Sequence, residues 1–322
     1  MDAENTTCPL CGEGALGLLF PAPDPNYQVH YCNQCGLGLT RPFPSLEVLD
    51  GLYSTRSYRS EERRFIAPLE LGVWLFRGRR LEMVQKHIKP PGRILDIGCA
   101  RAHMLSMARD KGWDAYGLEY NAESARHARE GRGLDVRTGN VWDAGFPEGF
   151  FDVITIWHVI EHLKDPFRTI QECAKLLRPG GILVVSIPNF DSWQSRLSGR
   201  WWFHLDVPFH LYHFSARNFG ALLEREGFRI AGPAHFSLEF GPYGVLQSLL
   251  NRLTLSHNLL YEALKTRSLR TGKGGTGTML RLAFSLLSLP VMLPLSLVMS
   301  VSESIAGSGG SILFVAHREE SK

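Results

Sequence analysis

The chain has 322 residues, 44% of them apolar and 21% charged, with a formal net charge of +3. That length suits about two domains at roughly 150 residues each, and the composition excludes a chain disordered throughout. The charge is too close to neutral to announce a nucleic-acid partner by itself. Met1 to Cys8 is acidic and lacks an apolar run, so no secretory signal is expected there. A reducing cytoplasm is therefore expected, in which the six cysteines serve as metal ligands or free thiols rather than disulfides.

Cys8-Pro-Leu-Cys11 and Cys32-Asn-Gln-Cys35 form two C-x2-C pairs separated by 20 residues, each followed by a glycine, Gly12 and Gly36. Four sulfurs at this spacing suit tetrahedral zinc, and so small a segment has no core of its own. Free thiol pairs and a redox C-x-x-C are the alternatives, although the second wants a strand-to-helix setting missing here. All four ligands would come from protein, which makes the expected zinc structural. Residues 1–40 hold four acids (Asp2, Glu4, Glu13, Asp24) and neither lysine nor arginine, which disfavours a ribbon that reads RNA.

After Pro42 and Pro44, Ser45–Tyr53 reads as a short helix with Ser45 as N-cap and Leu46, Leu49 and Leu52 on one side. A longer helix is expected over 65–89, with Arg77, Arg79, Arg80, Lys86 and Lys89 forming a solvated or membrane-facing basic surface. Pro90-Pro91-Gly92 stops it. Strands are expected at 93–97, 114–119, 134–138, 151–157 and 181–187, and helices near 101–111, 121–130, 166–177 and 215–226. Asp165-Pro166 reads as a cap with proline at the first helical position, and Pro179-Gly180-Gly181 as a turn into the next strand. Such alternation means an α/β fold with a parallel sheet covered on both faces. The expected organisation is a zinc ribbon (1–41), a helical connector (42–92) and a main domain (93–322) bearing a helical insert at 243–307.

The first of these strands ends in Ile94-Leu95-Asp96-Ile97-Gly98-Cys99-Ala100-Arg101-Ala102. A turn of small residues there lets a ligand approach the backbone at the carboxyl edge of the sheet. Glu119, 21 residues beyond Gly98, closes the second strand, where a carboxylate can accept both ribose hydroxyl protons of a nucleoside. A nicotinamide-type reading would need a fuller G-x-G-x-x-G and a hydride-transfer constellation, and neither is found.

These motifs resemble the class I S-adenosylmethionine-dependent methyltransferases over about 93–240 and again at 310–318. Within that class the chain is most similar to ubiquinone-type and other small-molecule O-methyltransferases. Thr138-Gly139-Asn140-Val141 matches the turn that meets adenine, and Phe151 to His162 is close to the fourth-strand motif. Leu177-Arg178-Pro179-Gly180-Gly181 matches the turn before the fifth strand. The resemblance implies a Rossmann-like, seven-stranded, mostly parallel sheet ending in an antiparallel hairpin, for which Phe228–Ser237 and Ser311–His317 are available. It implies S-adenosylmethionine held by Asp96, Gly98, Cys99, Ala100, Glu119, Tyr120, Asn140, Val141 and Trp157. Two departures stand out: Ala100 and Ala102 replace glycines, and Asn140 replaces a more common aspartate. Cys99 and Cys173 read as small packing residues rather than nucleophiles.

Methyl transfer to a hydroxyl needs positioning, exclusion of water and a base. His158, Glu161 and His162 follow the fourth strand; the resemblance implies a divalent metal there, with acid/base, substrate-contact and structural roles as alternatives. The stretch Trp201 to Phe214 places aromatic rings and histidines where the related enzymes bind their acceptors, a density unusual for a loop. His210 is the preferred base and His213 the second, with Asp206 able to orient either.

The insert opens with an expected amphipathic helix over Tyr243–Leu264. Lys265 to Arg281 then carries five cations and no acid, and Leu282 to Ser302 is 21 residues without a formal charge, interrupted by Pro290 and Pro294. Length permits a transmembrane helix, yet one crossing would strand Ser311–His317 across the bilayer from its own sheet. Two prolines four apart point instead to a helical hairpin or shallow re-entrant turn. Peripheral contact with the cytoplasmic face through 265–302 is expected, a buried subdomain or dimer interface being the alternatives. The expected function is O-methylation of a small or lipid-linked acceptor, such as a quinone precursor or saccharide intermediate. An RNA methyltransferase and an inactive cofactor-binding scaffold are the competing readings.

Overall fold

The alternation of short apolar runs with amphipathic stretches closes into one seven-stranded sheet in the computed structural model, which describes residues 7–45, 47–49, 51, 67–264 and 275–319. The central strands are β4 (Arg93–Ile97), β5 (Asp114–Glu119), β6 (Asp135–Thr138), β7 (Phe151–Trp157) and β8 (Leu177–Pro188). They run parallel, and their apolar side chains are buried on both faces, as a covered parallel sheet requires. Strands β10 (Phe228–Ile230) and β11 (Ser311–Arg318) add the antiparallel edge, giving the order β10-β11-β8-β7-β4-β5-β6. Helices α2 (His103–Asp110), α3 (Ala122–Arg132), α4 (Pro166–Leu176) and α6 (Ala216–Arg225) cover the sheet, and the short α5 (Trp193–Ser198) follows β8.

Two local expectations are corrected. Pro179-Gly180-Gly181 lies inside β8 and makes a bulge: Leu177 faces Phe151 while Ile182 faces Val153, and Gly180 takes φ +74°. Asp165 precedes α4 but makes no side-chain cap; its carbonyl instead receives the Thr169 hydroxyl at 2.9 Å. In the connector, Val48 N–H donates to Ser45 Oγ at 3.3 Å, as a cap should, while Leu46 and Leu52 lie outside the described residues. The long connector helix, α1, is Ala67–Gln85.

The N-terminal segment forms a second sheet from β1 (Leu16–Pro21), β2 (Gln28–Cys32) and β3 (Gly38–Arg41). Its fourth strand, β9 (Tyr212–His213), comes from the aromatic stretch that sequence alone leaves as a loop. Leu37 and Leu39 of the ribbon are fully buried in the same core cluster as Leu211, Tyr212, Phe214 and Phe219, so ribbon and main sheet share apolar packing.

The insert departs most from expectation. Tyr243–Leu264 is two helices, α7 (Gly241–Thr254) and α8 (Leu259–Leu264), separated where Leu255 and Asn258 take left-handed φ of 49° and 55°. Thr276–Ile305 is one continuous helix, α9, which passes through both Pro290 and Pro294 rather than folding back. Its packing is inverted for a soluble protein. Ser285, Ser296, Ser300 and Glu303 are buried, whereas Leu287, Val291, Val298 and Ile305 are 63–83% exposed. The cations Lys265, Arg267, Arg270 and Lys273 fall outside the described residues.

Candidate active site

The carboxyl ends of β4, β5 and β7 converge on the small-residue turn. Gly98 takes φ +77°, and a Cβ there would overlap the Val159 side chain, so no other residue fits. Ala100 and Ala102 take φ +49° and +54°, the left-handed region that costs an L-residue roughly 1–2 kcal/mol. These are the positions where the resemblance expects glycine. Glu119 holds the turn: its buried carboxylate accepts the N–H of Ala100 and of Asn121, each at 2.9 Å. Each carboxylate oxygen offers two acceptor positions, so ribose hydroxyls can bond to the same group.

Asp96 sits beneath the turn, receives the Thr155 hydroxyl at 2.6 Å, and is pushed by burial up to about 7, against the pull of Thr155 and Arg80. Trp157 closes β7 with its indole N–H buried and, among the described residues, without a hydrogen-bond partner, as expected where a polar ligand belongs. Arg80 of α1 lies 5.1 Å from the Trp157 ring centre and pairs with Glu239 at 2.5 Å. Around this centre Cys99 and Val141 are buried and Tyr120 and Asn140 exposed, Asn140 donating to Asp143 at 3.2 Å. A buried carboxylate on the turn and an orphaned indole N–H fit a nucleoside-bearing cofactor.

Beside the turn lie five imidazoles: His158, His162 and His210 stand against Glu161, His204 stacks on His158, and His213 lies beside His210. His158 takes a left-handed φ of +51°; its Nε2 meets Ser311 Oγ at 3.1 Å and Ser186 Oγ at 3.2 Å, and its Nδ1 lies 3.4 Å from Glu161 Oε1. His162 Nδ1 bonds the Phe209 carbonyl at 3.0 Å, and His210 Nδ1 the His204 carbonyl at 2.8 Å. A carbonyl can only accept, so both rings carry their proton on Nδ1 and offer a lone pair at Nε2. Glu161 is 1% exposed and, among the described residues, neither of its oxygens makes a hydrogen bond; His210 Nε2 lies 3.9 Å from Oε1. Burial keeps the rings neutral, lowering His158, His204 and His213 to about 3, His162 to about 4, and His210 in the same direction.

Glu161, His162 and His210 bring their ligand atoms within 4.8 Å of one another. Two imidazole nitrogens and one carboxylate, each ring fixed by a backbone carbonyl, fit a divalent first-row transition ion. His210, distant in sequence, completes this set; His158 instead spends its Nε2 on two serines. The His204 carbonyl fixes the His210 ring at Nδ1, and the Asp206 charge acts on His210, His162 and His204. Cys173 is buried in the core, as a packing residue.

The four ribbon cysteines converge separately. Cys8 and Cys35 Sγ are 3.5 Å apart, Cys11 and Cys32 Sγ 3.7 Å, and all four lie within 4.8 Å. A tetrahedral ion with metal–sulfur bonds of about 2.3 Å separates its sulfurs by roughly 3.8 Å, so the set fits. Burial raises the Cys8 and Cys35 thiols; it acts on Cys11 too, but the Glu13 and Gly14 amides outweigh it and hold that thiol at about 7.

Sequence reasoning missed Thr40, Gln194 and Glu303, and it put Arg80 on an outer basic surface rather than beside Trp157 and Glu239. Thr40 Oγ1 bonds both the His210 carbonyl and His213 Nε2. Gln194 links Trp202 Nε1 to Glu303, whose carboxylate also receives Gly310 N–H. Only Glu303 left a signal, as the acid that ends an uncharged run.

Residues 72–231 match a family described as a methyltransferase domain. A probable S-adenosylmethionine-dependent methyltransferase of Mycolicibacterium smegmatis is 32% identical over 52% of this chain and 64% of its own length. A ubiquinone biosynthesis O-methyltransferase of Xanthomonas axonopodis pv. citri is 34% identical over 34% of this chain and 49% of its own. The chain thus spans about half to just under two thirds of the length of the curated relatives it matches. Among solved structures, a methyltransferase from Archaeoglobus fulgidus covers 76% of this chain and 93% of its own at 19% identity and a TM-score of 0.47. The matched stretch is a methyltransferase domain. The relatives that share it include probable S-adenosylmethionine-dependent methyltransferases.

Proposed function

We propose that this chain is an S-adenosylmethionine-dependent methyltransferase that methylates an oxygen of a small or lipid-linked acceptor at a membrane surface. The observation that carries the reading is the juxtaposition of the Glu119-braced turn with a buried pocket of neutral imidazoles. When bound, the cofactor supplies a methyl group on a sulfonium. Glu119 holds its ribose, Asn140 and Val141 meet its adenine, and Asp96, Gly98, Cys99, Ala100, Tyr120 and Trp157 shape the remaining contacts.

His210 is the base. Its Nε2 lone pair takes the proton of the acceptor hydroxyl, and the Glu161 carboxylate 3.9 Å away stabilises the resulting imidazolium. His213, His158 and His162 complete the polar wall. A divalent ion held by Glu161, His162 and His210 is the alternative to that proton transfer: it would occupy the His210 Nε2 lone pair and lower the acceptor's pKa by its own charge. The four cysteines hold a structural zinc.

The inverted packing of α9 supports a peripheral membrane site on the cytoplasmic face. The helix spends its polar stripe on the protein and presents leucine and valine outward, with Lys265, Arg267, Arg270 and Lys273 just ahead of it in sequence to meet anionic headgroups. An acceptor carried by lipid follows from that placement. The name of the Xanthomonas relative supports oxygen as the target atom and a quinone precursor as one acceptor class; a saccharide intermediate is the other.

Methyl-labelled S-adenosylmethionine incubated with the protein and a bacterial membrane-lipid extract tests this reading. Label should enter the lipid phase, and His210→Ala should lower the rate by about 100-fold or more. Label appearing in added RNA would favour an RNA methyltransferase. Cofactor binding without transfer to lipid, aqueous metabolites or RNA would favour the inactive scaffold.

A further inference from the structure

The ribbon and the histidine pocket meet at one side chain. Thr40, fully buried on β3, places its Oγ1 2.6 Å from the His210 carbonyl and 3.0 Å from His213 Nε2. Its backbone N–H donates to the Leu211 carbonyl at 3.0 Å, and β3 pairs with β9 through Gly38 opposite His213 and Leu39 opposite Tyr212. The approach is close enough that a Cβ on Gly38 would stand 2.8 Å from Phe190 and 2.9 Å from His213.

A hydroxyl has one proton. The His210 carbonyl can only accept, so that proton points there, and Oγ1 can then only accept from His213. His213 is thereby held as the Nε2–H tautomer with its Nδ1 as the ring acceptor, while the same hydroxyl pins the His210 backbone.

The cysteine knuckles are clasped from the other side. Asn218 Nδ2 donates to the Cys35 carbonyl at 3.4 Å, Arg217 to Gln34 at 3.3 Å and Arg225 to Leu10 at 3.0 Å. These carbonyls belong to the two C-x2-C turns, whose shape depends on the metal the four sulfurs hold.

We propose that Thr40 is a positioning residue, through which the metal-loaded ribbon sets the tautomer of His213 and the seat of His210. This rests on the reading of those histidines as the acceptor side of the site. The metal, far from the chemistry in sequence and one sheet edge away from it in space, acts there without touching substrate.

The test uses full-length zinc-loaded protein carrying ¹⁵N-labelled histidine and reads ring tautomers from long-range ¹H–¹⁵N spectra, which need no acceptor. The parent should show one ring in the Nε2–H form that His213→Gln removes. Thr40→Val should abolish that signature, and Thr40→Ser should restore it. Stripping the ribbon's metal with a chelator should abolish it as well. Affinity for S-adenosylhomocysteine, measured alongside, should stay within about twofold in the Thr40 variants, which separates loss of this contact from loss of the cofactor fold. An unchanged His213 signal in Thr40→Val, or a serine variant that behaves like valine, overturns the positioning role. A signal indifferent to metal removal overturns the part given to the ribbon. Failure of S-adenosylhomocysteine to bind the parent would strike the function while leaving the Thr40 contact standing.

Discussion

The backbone N–H of Ala100 donates to the Glu119 carboxylate at 2.9 Å, joining the turn after β4 to the last residue of β5. One buried carboxylate thus sets the shape of the turn, and in the proposed function the same group holds the ribose of the cofactor. Glu119→Ala should weaken S-adenosylhomocysteine binding by about 1.5–3 kcal/mol, the scale of hydrogen bonds to a charged group. Calorimetric titration reads this directly, and an unchanged affinity would remove Glu119 from the site.

Ala100 carries the conformational cost that a glycine would avoid. Its left-handed backbone costs about 1–2 kcal/mol, and glycine returns roughly 0.5–1 of that through unfolded-state entropy. Ala100→Gly should therefore stabilise the protein by about 0.5–1 kcal/mol in urea denaturation. A destabilised variant would mean that the methyl group has a packing role outweighing the strain.

Asp96 makes stability depend on pH. Burial raises its carboxyl to about 7 in the folded protein, from an ordinary value of 3.8. Between those values the folded state keeps a proton that the unfolded chain has released. Its contribution is fully present below about pH 4 and is lost as the pH rises through about 7. Asp96→Asn should remove this dependence, so its urea midpoint should gain on the parent's between pH 5 and pH 8. A gap constant with pH would show that Asp96 titrates normally.

The outward face of α9 should be separable from the fold. Leu287 is 82% exposed and Val298 63%, so aspartate at both should leave the unfolding midpoint nearly unchanged. Binding to anionic phospholipid vesicles should drop at least tenfold, since each buried aliphatic side chain is worth about 1.5–3 kcal/mol. Vesicle binding equal to the parent's would point to a protein partner for this face.

Much of the sheet was legible because local patterns decide it. The strands 93–97, 114–119 and 151–157 appear with the expected bounds, each a short apolar run between turn residues. The cysteine set and the Gly98–Glu119 pair were legible for the same reason, since their chemistry fixes their spacing. What the sequence hid is long-range. β9 is two residues long and pairs with β3 more than 170 residues away, so neither periodicity nor composition marks it. The prolines of α9 suggested a break, yet the helix continues through them. Serines along it bond backbone carbonyls, as Ser285 does to Arg281 and Ser296 to Leu293, supplying polar contacts within the helix itself. Completion of the Glu161 and His162 set by His210 likewise needed the fold.

A cofactor site built on the Glu119-braced turn should be visible without any acceptor. Calorimetric titration of the detergent-free 322-residue chain with S-adenosylhomocysteine should show one site of micromolar affinity, weakened at least tenfold in Glu119→Ala. Absence of binding by the folded parent protein would contradict it.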